Sequence, residues 1–137
     1  MVESYDVGSL PFVGDAKKLL KGASRYGLRV DDSTVYFEAK VVEGFLDKAR
    51  AGIDMPNYPQ FRDMSEMFLE MIEGLERLRG GYVETGTPSI REERSHIPEV
   101  LAIKQRSQEI YERMSEPFEL KVCVTGPYTL SSLFLYK

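Results

Sequence analysis

Amphipathic stretches alternate with short apolar runs along this chain, and that alternation does most to limit the folds open to it. Residues 4–10 read as a short strand, broken by Gly8 and closed by Pro11. Asp15 is a helix cap, and Ala16, Leu19, Leu20 and Ala23 form one face behind it. Asp31, Asp32 and Ser33 open a longer helix that runs to about Arg50. Val35, Val41, Val42, Phe45, Leu46 and Ala49 make its apolar stripe, and Glu38, Lys40, Glu43, Asp47 and Lys48 its wet side. Gly52 stops that helix, and residues 53–58 read as a second strand.

The clearest helical periodicity follows. Phe61, Met64, Phe68, Met71, Ile72, Leu75 and Leu78 recur at three and four, so residues 61–78 are expected as one helix ended by Gly80 and Gly81. Residues 81–90 are expected to be extended. Residues 95–114 read as a polar-rich helix with Ile97, Val100, Leu101 and Ile110 on its apolar side. Pro117 breaks it. A continuously apolar strand, residues 122–124, then delivers Thr125-Gly126-Pro127-Tyr128-Thr129 into another helix start. Strands separated by amphipathic helices imply parallel pairing and right-handed crossovers, hence an α/β class. No Gly-x-Gly-x-x-Gly or Walker-type phosphate loop is present, which argues against a nucleotide-binding sheet.

Composition excludes several function classes. A net charge of -4 with no long Lys/Arg run is no nucleic-acid footprint. No apolar stretch approaches a membrane span, and the first residues lack the basic-then-apolar order of a signal peptide. One cysteine makes no internal disulfide, so a reducing cytoplasm is the expected setting. One histidine and one cysteine do not make a protein-only zinc site.

Four segments end in residues suited to holding a ligand. In Val7-Gly8-Ser9-Leu10-Pro11, Gly8 lets backbone and hydroxyl approach closely; the same residues also make an ordinary turn. In residues 54–64, Asn57 and Gln60 either face a polar substrate group or cap a helix, with Arg62 and Glu66 spaced for a surface pair. Glu84 either points into a site or sits on a wet edge. Thr125 and Gly126 precede a helix N-terminus that attracts an anionic group, or simply start a helix. Cys123 reads as a buried small hydrophobe and His96 as a surface or capping residue.

In this order, the segments resemble the cobalamin-independent methionine synthase family, in its catalytic zinc barrel and its short archaeal-type form. The resemblance rests on Val7-Gly8-Ser9-Leu10-Pro11, on Ala51-Gly52-Ile53-Asp54 with Arg62-Asp63-Met64 and Phe68, and on Val124-Thr125-Gly126-Pro127-Tyr128-Thr129. It implies the N-terminal half of a (β/α)8 barrel over residues 1–137, roughly the first four β/α units of a barrel that takes ~250 residues when complete. It implies methyl transfer to the thiol of homocysteine, with a methylated folate or corrinoid as donor and zinc binding the thiolate. The family's zinc ligands belong to later strands, so no catalytic or metal residue and no cofactor is expected here, and the chain is expected to be an inactive or incomplete portion. The substrate-binding residues implied are Val7, Gly8, Ser9, Gln60, Thr125 and Gly126. Pro59-Gln60 stands where the family carries an acidic residue for the substrate amine.

Two other functions remain open. A half-barrel exposes a sheet edge, and the run Leu133-Phe134-Leu135-Tyr136 is apolar, so a non-catalytic module that self-associates into a homo-oligomer is one. A corrinoid-linked methyltransferase or decarboxylase relative is the other. Nucleic acid and membrane are not expected as partners.

Overall fold

The computed structural model describes residues 3–135. Its elements in chain order are α1 (Ala16–Arg25), α2 (Asp32–Arg50), α3 (Glu66–Leu69), β1 (Ile72–Leu78), β2 (Gly81–Ile90), a 3-10 turn (Glu92–Arg94), α4 (Pro98–Gln105), α5 (Ser107–Met114) and α6 (Pro127–Ser131). They divide into two compact units. One comprises the residues up to Phe61 together with Ile97–Cys123; the other comprises Arg62–His96 and the residues from Val124 onward.

The first unit is helical, and α1 and α2 start where the sequence places them. Asp15 Oδ1 accepts the Lys18 N–H at 3.0 Å and caps α1. Asp31 caps α2 through the N–H groups of Ser33 and Thr34, while the Thr34 hydroxyl accepts the Asp31 N–H, a reciprocal capping box. The stripe of α2 (Phe37, Val41, Val42, Phe45 and Leu46) is the centre of the core, joined by Leu19 and Ala23 of α1, Ala102 and Ile103 of α4 and Ile110 of α5. The expected helix over residues 95–114 is interrupted: α4 ends at Gln105 and α5 begins at Ser107, with Arg106 at φ -101, ψ 15 between them.

The fold class differs from the expectation. The sheet found among the described residues is the two-stranded antiparallel β1–β2 pair, and the architecture is α+β rather than the N-terminal half of a (β/α)8 barrel. The segments expected as parallel strands are extended, but they meet only in isolated parallel bridges: Tyr5 with Met55, Ser9 with Gln60, and Asn57 with Lys121. Pro56 and Pro59 supply no N–H, and Gly8 leaves the β region at φ +108, so no continuous ladder can form. The run 122–124 is not a strand covered on both faces; Val122 and Val124 are 43% and 66% exposed.

In the second unit, the expected 61–78 helix is instead one short helix and a strand. Asp63 Oδ1 accepts the Ser65 and Glu66 N–H groups and starts α3, which ends at Leu69. β1 then turns through Arg79 and Gly80 into β2, with Leu78 opposite Gly81 and a register shift between Glu73 and Leu75, where Gly74 takes φ +80. Residues 81–90 are extended, as expected.

Candidate functional site

Four polar side chains converge beneath the loop that follows residue 5 in the first unit. Lys48 lies on the buried face of α2, three residues after Phe45 and seven after Val41, so the helical period carries it into the core. Its side chain is 4% exposed. Its ammonium donates to Asp6 Oδ2 at 2.5 Å, to the Gly8 carbonyl at 2.9 Å and to the Asn57 carbonyl at 3.3 Å. Asp6 is filled by other donors as well: Gly8 N–H reaches Oδ2 at 3.0 Å and Asn57 N–H reaches Oδ1 at 2.7 Å. Burial alone would raise the Asp6 carboxyl. The Lys48 ammonium and the two N–H groups outweigh it and hold the group below the usual carboxylate range.

Asn57 is fully buried and links three segments. Its Nδ2 donates to the Val7 carbonyl at 2.9 Å; its Oδ1 accepts from Tyr58 N–H at 2.9 Å and Cys123 N–H at 3.3 Å. Tyr58, also fully buried, donates its hydroxyl to the Cys123 carbonyl at 3.1 Å. These side chains satisfy the backbone groups that a continuous ladder would otherwise pair.

Gln60 completes the corner. Its backbone is well used, since its N–H donates to the Gly8 carbonyl at 2.9 Å and its carbonyl accepts from Leu10 N–H at 3.2 Å. Its side chain lies across the Cα of Gly8, so close that a Cβ there would stand 2.7 Å from Gln60 Cδ and 2.5 Å from Asn57 Nδ2. Gln60 is 5% exposed, and both Oε1 and Nε2 are buried without a hydrogen-bond partner. Leaving such atoms unpaired costs about 1–3 kcal/mol each, and Gln60 is the side chain of the frame with both polar atoms unpaired.

The six residues implied at a binding site therefore have different placements. Gly8 and Gln60 touch at the corner; Val7 and Ser9 flank Gly8 and are exposed. Thr125 and Gly126 belong to the other unit. There the Thr125 hydroxyl donates to the Met64 carbonyl at 3.1 Å, and Gly126 is the exposed cap of the five-residue α6. Glu84 is exposed on β2. In the expected apolar run, Leu133 and Leu135 form backbone hydrogen bonds with Tyr82 and Phe134 makes a parallel bridge to it; Tyr136 lies outside the described residues.

Sequence reasoning missed Asp6, Lys48 and the structural role of Asn57. It set Lys48 on the wet side of α2, although Lys48 falls on the Val41–Phe45 stripe. That placement was the available signal. The same reasoning put Val35 on the buried stripe, yet it is 57% exposed.

A second polar cluster borders a cleft of 420 Å³ lined in part by Leu28, Val30, Val35 and Arg29. The Tyr26 hydroxyl donates to Glu38, and Gln105 Oε1 lies 2.8 Å from it. Arg106 Nε donates to Glu38 Oε1 at 2.5 Å, and Nη2 lies at the same distance. Burial first, then the Glu38 carboxylate, pushes the Tyr26 phenol well above its ordinary value. The hydrogen bond to Glu38 likewise raises Arg106.

Among the described residues no group of three or more His, Cys, Asp or Glu side chains could hold a metal ion. Cys123 and His96 belong to different units. The described residues do not fit the zinc site of the family the sequence resembles. No helix among them is long and apolar enough to cross a membrane. No family model matches the chain, and no curated protein matches it.

Proposed function

We propose that the chain is the substrate-holding portion of a methionine-synthase-like methyltransferase, binding a small thiol amino acid of the homocysteine type in a reducing cytoplasm. The observation that carries this reading is the buried Gln60 amide, unpaired on both its oxygen and its nitrogen, under a glycine that leaves no room for a Cβ. The Asp6–Lys48–Asn57 frame fixes the backbone of residues 7–9 beside it. In this reading the exposed Val7 and Ser9 segment meets the ligand backbone, and Gln60 meets one polar end of the ligand. The reading assigns these residues binding and orientation alone; the metal chemistry of the family is supplied by none of them.

The test is a titration followed through the Gln60 side-chain amide resonances, assigned by their loss in Gln60→Met. Thiol compounds of homocysteine length are expected to shift those resonances saturably. Resonances that stay in place at saturating concentrations of the whole thiol series would refute the reading.

A further inference from the structure

We infer that the cleft between the α1–α2 loop and the end of α4 is a separate binding site, and that it takes a small amphipathic monocarboxylate: an aliphatic body with one carboxylate end. The cleft lies within the first unit and shares no lining residue with the Gly8–Gln60 corner. The inference therefore stands apart from the reading of that corner.

The cleft is open and of ligand size, 420 Å³. Leu28, Val30 and Val35 line it, and each is more than half exposed. Three branched aliphatic side chains left in water around one concavity gain by covering, and an aliphatic body covers them. Val35 stands out because it precedes a helix whose other stripe residues are buried, yet it faces this cleft.

Charge selects the other end of the ligand. The lining carries two guanidinium groups, Arg29 and Arg106, against one carboxylate, Glu38, an excess of one positive charge. Glu38 is already taken: it accepts from the Tyr26 hydroxyl and from Arg106, and its side chain is 15% exposed. It offers little to an ammonium. The guanidinium groups have more to give. Arg29 Nε stands 3.6 Å from Asp31 Oδ2, too far for a hydrogen bond, and that oxygen already accepts from Arg25 at 3.0 Å. Arg106 commits Nε and Nη2 to Glu38, while its Nη1 is 3.9 Å from the nearest Glu109 oxygen. Both arginines are half exposed or more, so their open N–H groups are within reach of a ligand. A planar carboxylate fits the fork of a guanidinium, and one negative charge matches the excess of one.

Hexanoate, hexylamine and 1-hexanol form the probe set, alike in chain length and different in charge. Binding is read by calorimetry and by the methyl resonances of Leu28, Val30 and Val35. Hexanoate is expected to shift those methyls saturably and to bind about tenfold more tightly than the amine or the alcohol, the gain from one charge-assisted contact. In Arg29→Gln, at an exposed position, hexanoate affinity should fall about tenfold toward that of hexanol while the melting temperature stays put. Arg29→Lys should retain part of the preference, since the charge remains and the fork is lost. Hexylamine or hexanol binding as tightly as hexanoate would overturn the inference, as would a hexanoate affinity unmoved by Arg29→Gln. Methyl resonances that do not shift with hexanoate would overturn it outright, and the Gln60 amide resonances test the other site independently.

Discussion

Replacing Lys48 with methionine tests whether a polar frame, rather than a strand ladder, holds the extended segments of the first unit. Methionine keeps most of the aliphatic stem against the α2 core and deletes the ammonium. The wild-type ammonium serves three acceptors, and its side chain is 4% exposed against 22% for Asp6. Breaking a buried pair by removing one partner costs about 3–5 kcal/mol. Here Asp6 keeps the Gly8 and Asn57 N–H groups and some water, and the Gly8 carbonyl keeps the Gln60 N–H. The expected loss is therefore at the lower end, about 3 kcal/mol, read from urea unfolding with far-UV circular dichroism. The pH dependence supplies an independent check. The folded Asp6 carboxyl lies below its unfolded value, so its contribution is complete above that value, about 3.9, and is lost as pH falls toward the folded one. In Lys48→Met the carboxylate is uncompensated and protonates more readily. The penalty should therefore shrink on acidification, and Asp6→Asn in the same background should recover most of it at neutral pH. A loss below about 1 kcal/mol, the range of an exposed pair, or a penalty that does not change with pH, would refute the reasoning.

Three further substitutions probe other joints. Gly8→Ala forces an L side chain to φ +108 with its Cβ against Asn57 and Gln60; a loss of about 3 kcal/mol is expected on the same assay. Gly22→Ala puts a Cβ onto the Ser33 carbonyl and within 2.6 Å of Phe37 Cβ, where α1 crosses α2; separation of the helices should cost about 2–3 kcal/mol and lower the melting temperature. Tyr26→Phe removes the hydroxyl bonded to Glu38 but leaves Arg106 on that carboxylate, so a smaller loss of about 1–2 kcal/mol is expected. In the parent protein, ultraviolet titration should show a late-ionising tyrosine that is absent from Tyr26→Phe.

Helices α1 and α2 were legible because their signals are local. Asp15 and Asp31 cap where a short polar residue must, and the α2 stripe follows a period that one segment carries by itself. The 61–78 segment misled for the same reason. Its apolar spacing suits a helix, but Gly74, Gly80 and Gly81 lie where a strand needs a bulge and a tight turn, and pairing with β2 decides the outcome. That pairing is with the very next segment, Leu78 opposite Gly81 and Ile72 opposite Ile90, and no window of 61–78 contains it. The barrel expectation failed by a similar route. Alternation of helix and extended segment is real over residues 4–61, but parallel pairing needs a row of backbone donors, and Pro56 and Pro59 remove two of them.

The candidate site shows where such reading stops. Gly8 and Gln60 were visible as residue types suited to close approach and hydrogen bonding, but their burial and contact were not. Lys48 was assigned to solvent by its charge, although its position on the α2 stripe already set it among Val41 and Phe45. Position should have prevailed, because a lysine on a core face must find a carboxylate, and Asp6 lay two residues before the glycine already singled out. With Lys48 and Asp6 satisfying each other and Asn57 spent on backbone, the Gln60 amide is the remaining unpaired side chain of the corner. A residue whose burial lowers stability is retained where another role offsets that cost. Gln60→Met therefore has two readouts that should move in opposite directions: stability held or raised, and affinity for thiol compounds of homocysteine length lowered. A Gln60→Met protein that is less stable than the parent would mean that the amide has a structural partner, and the corner would then be framework alone.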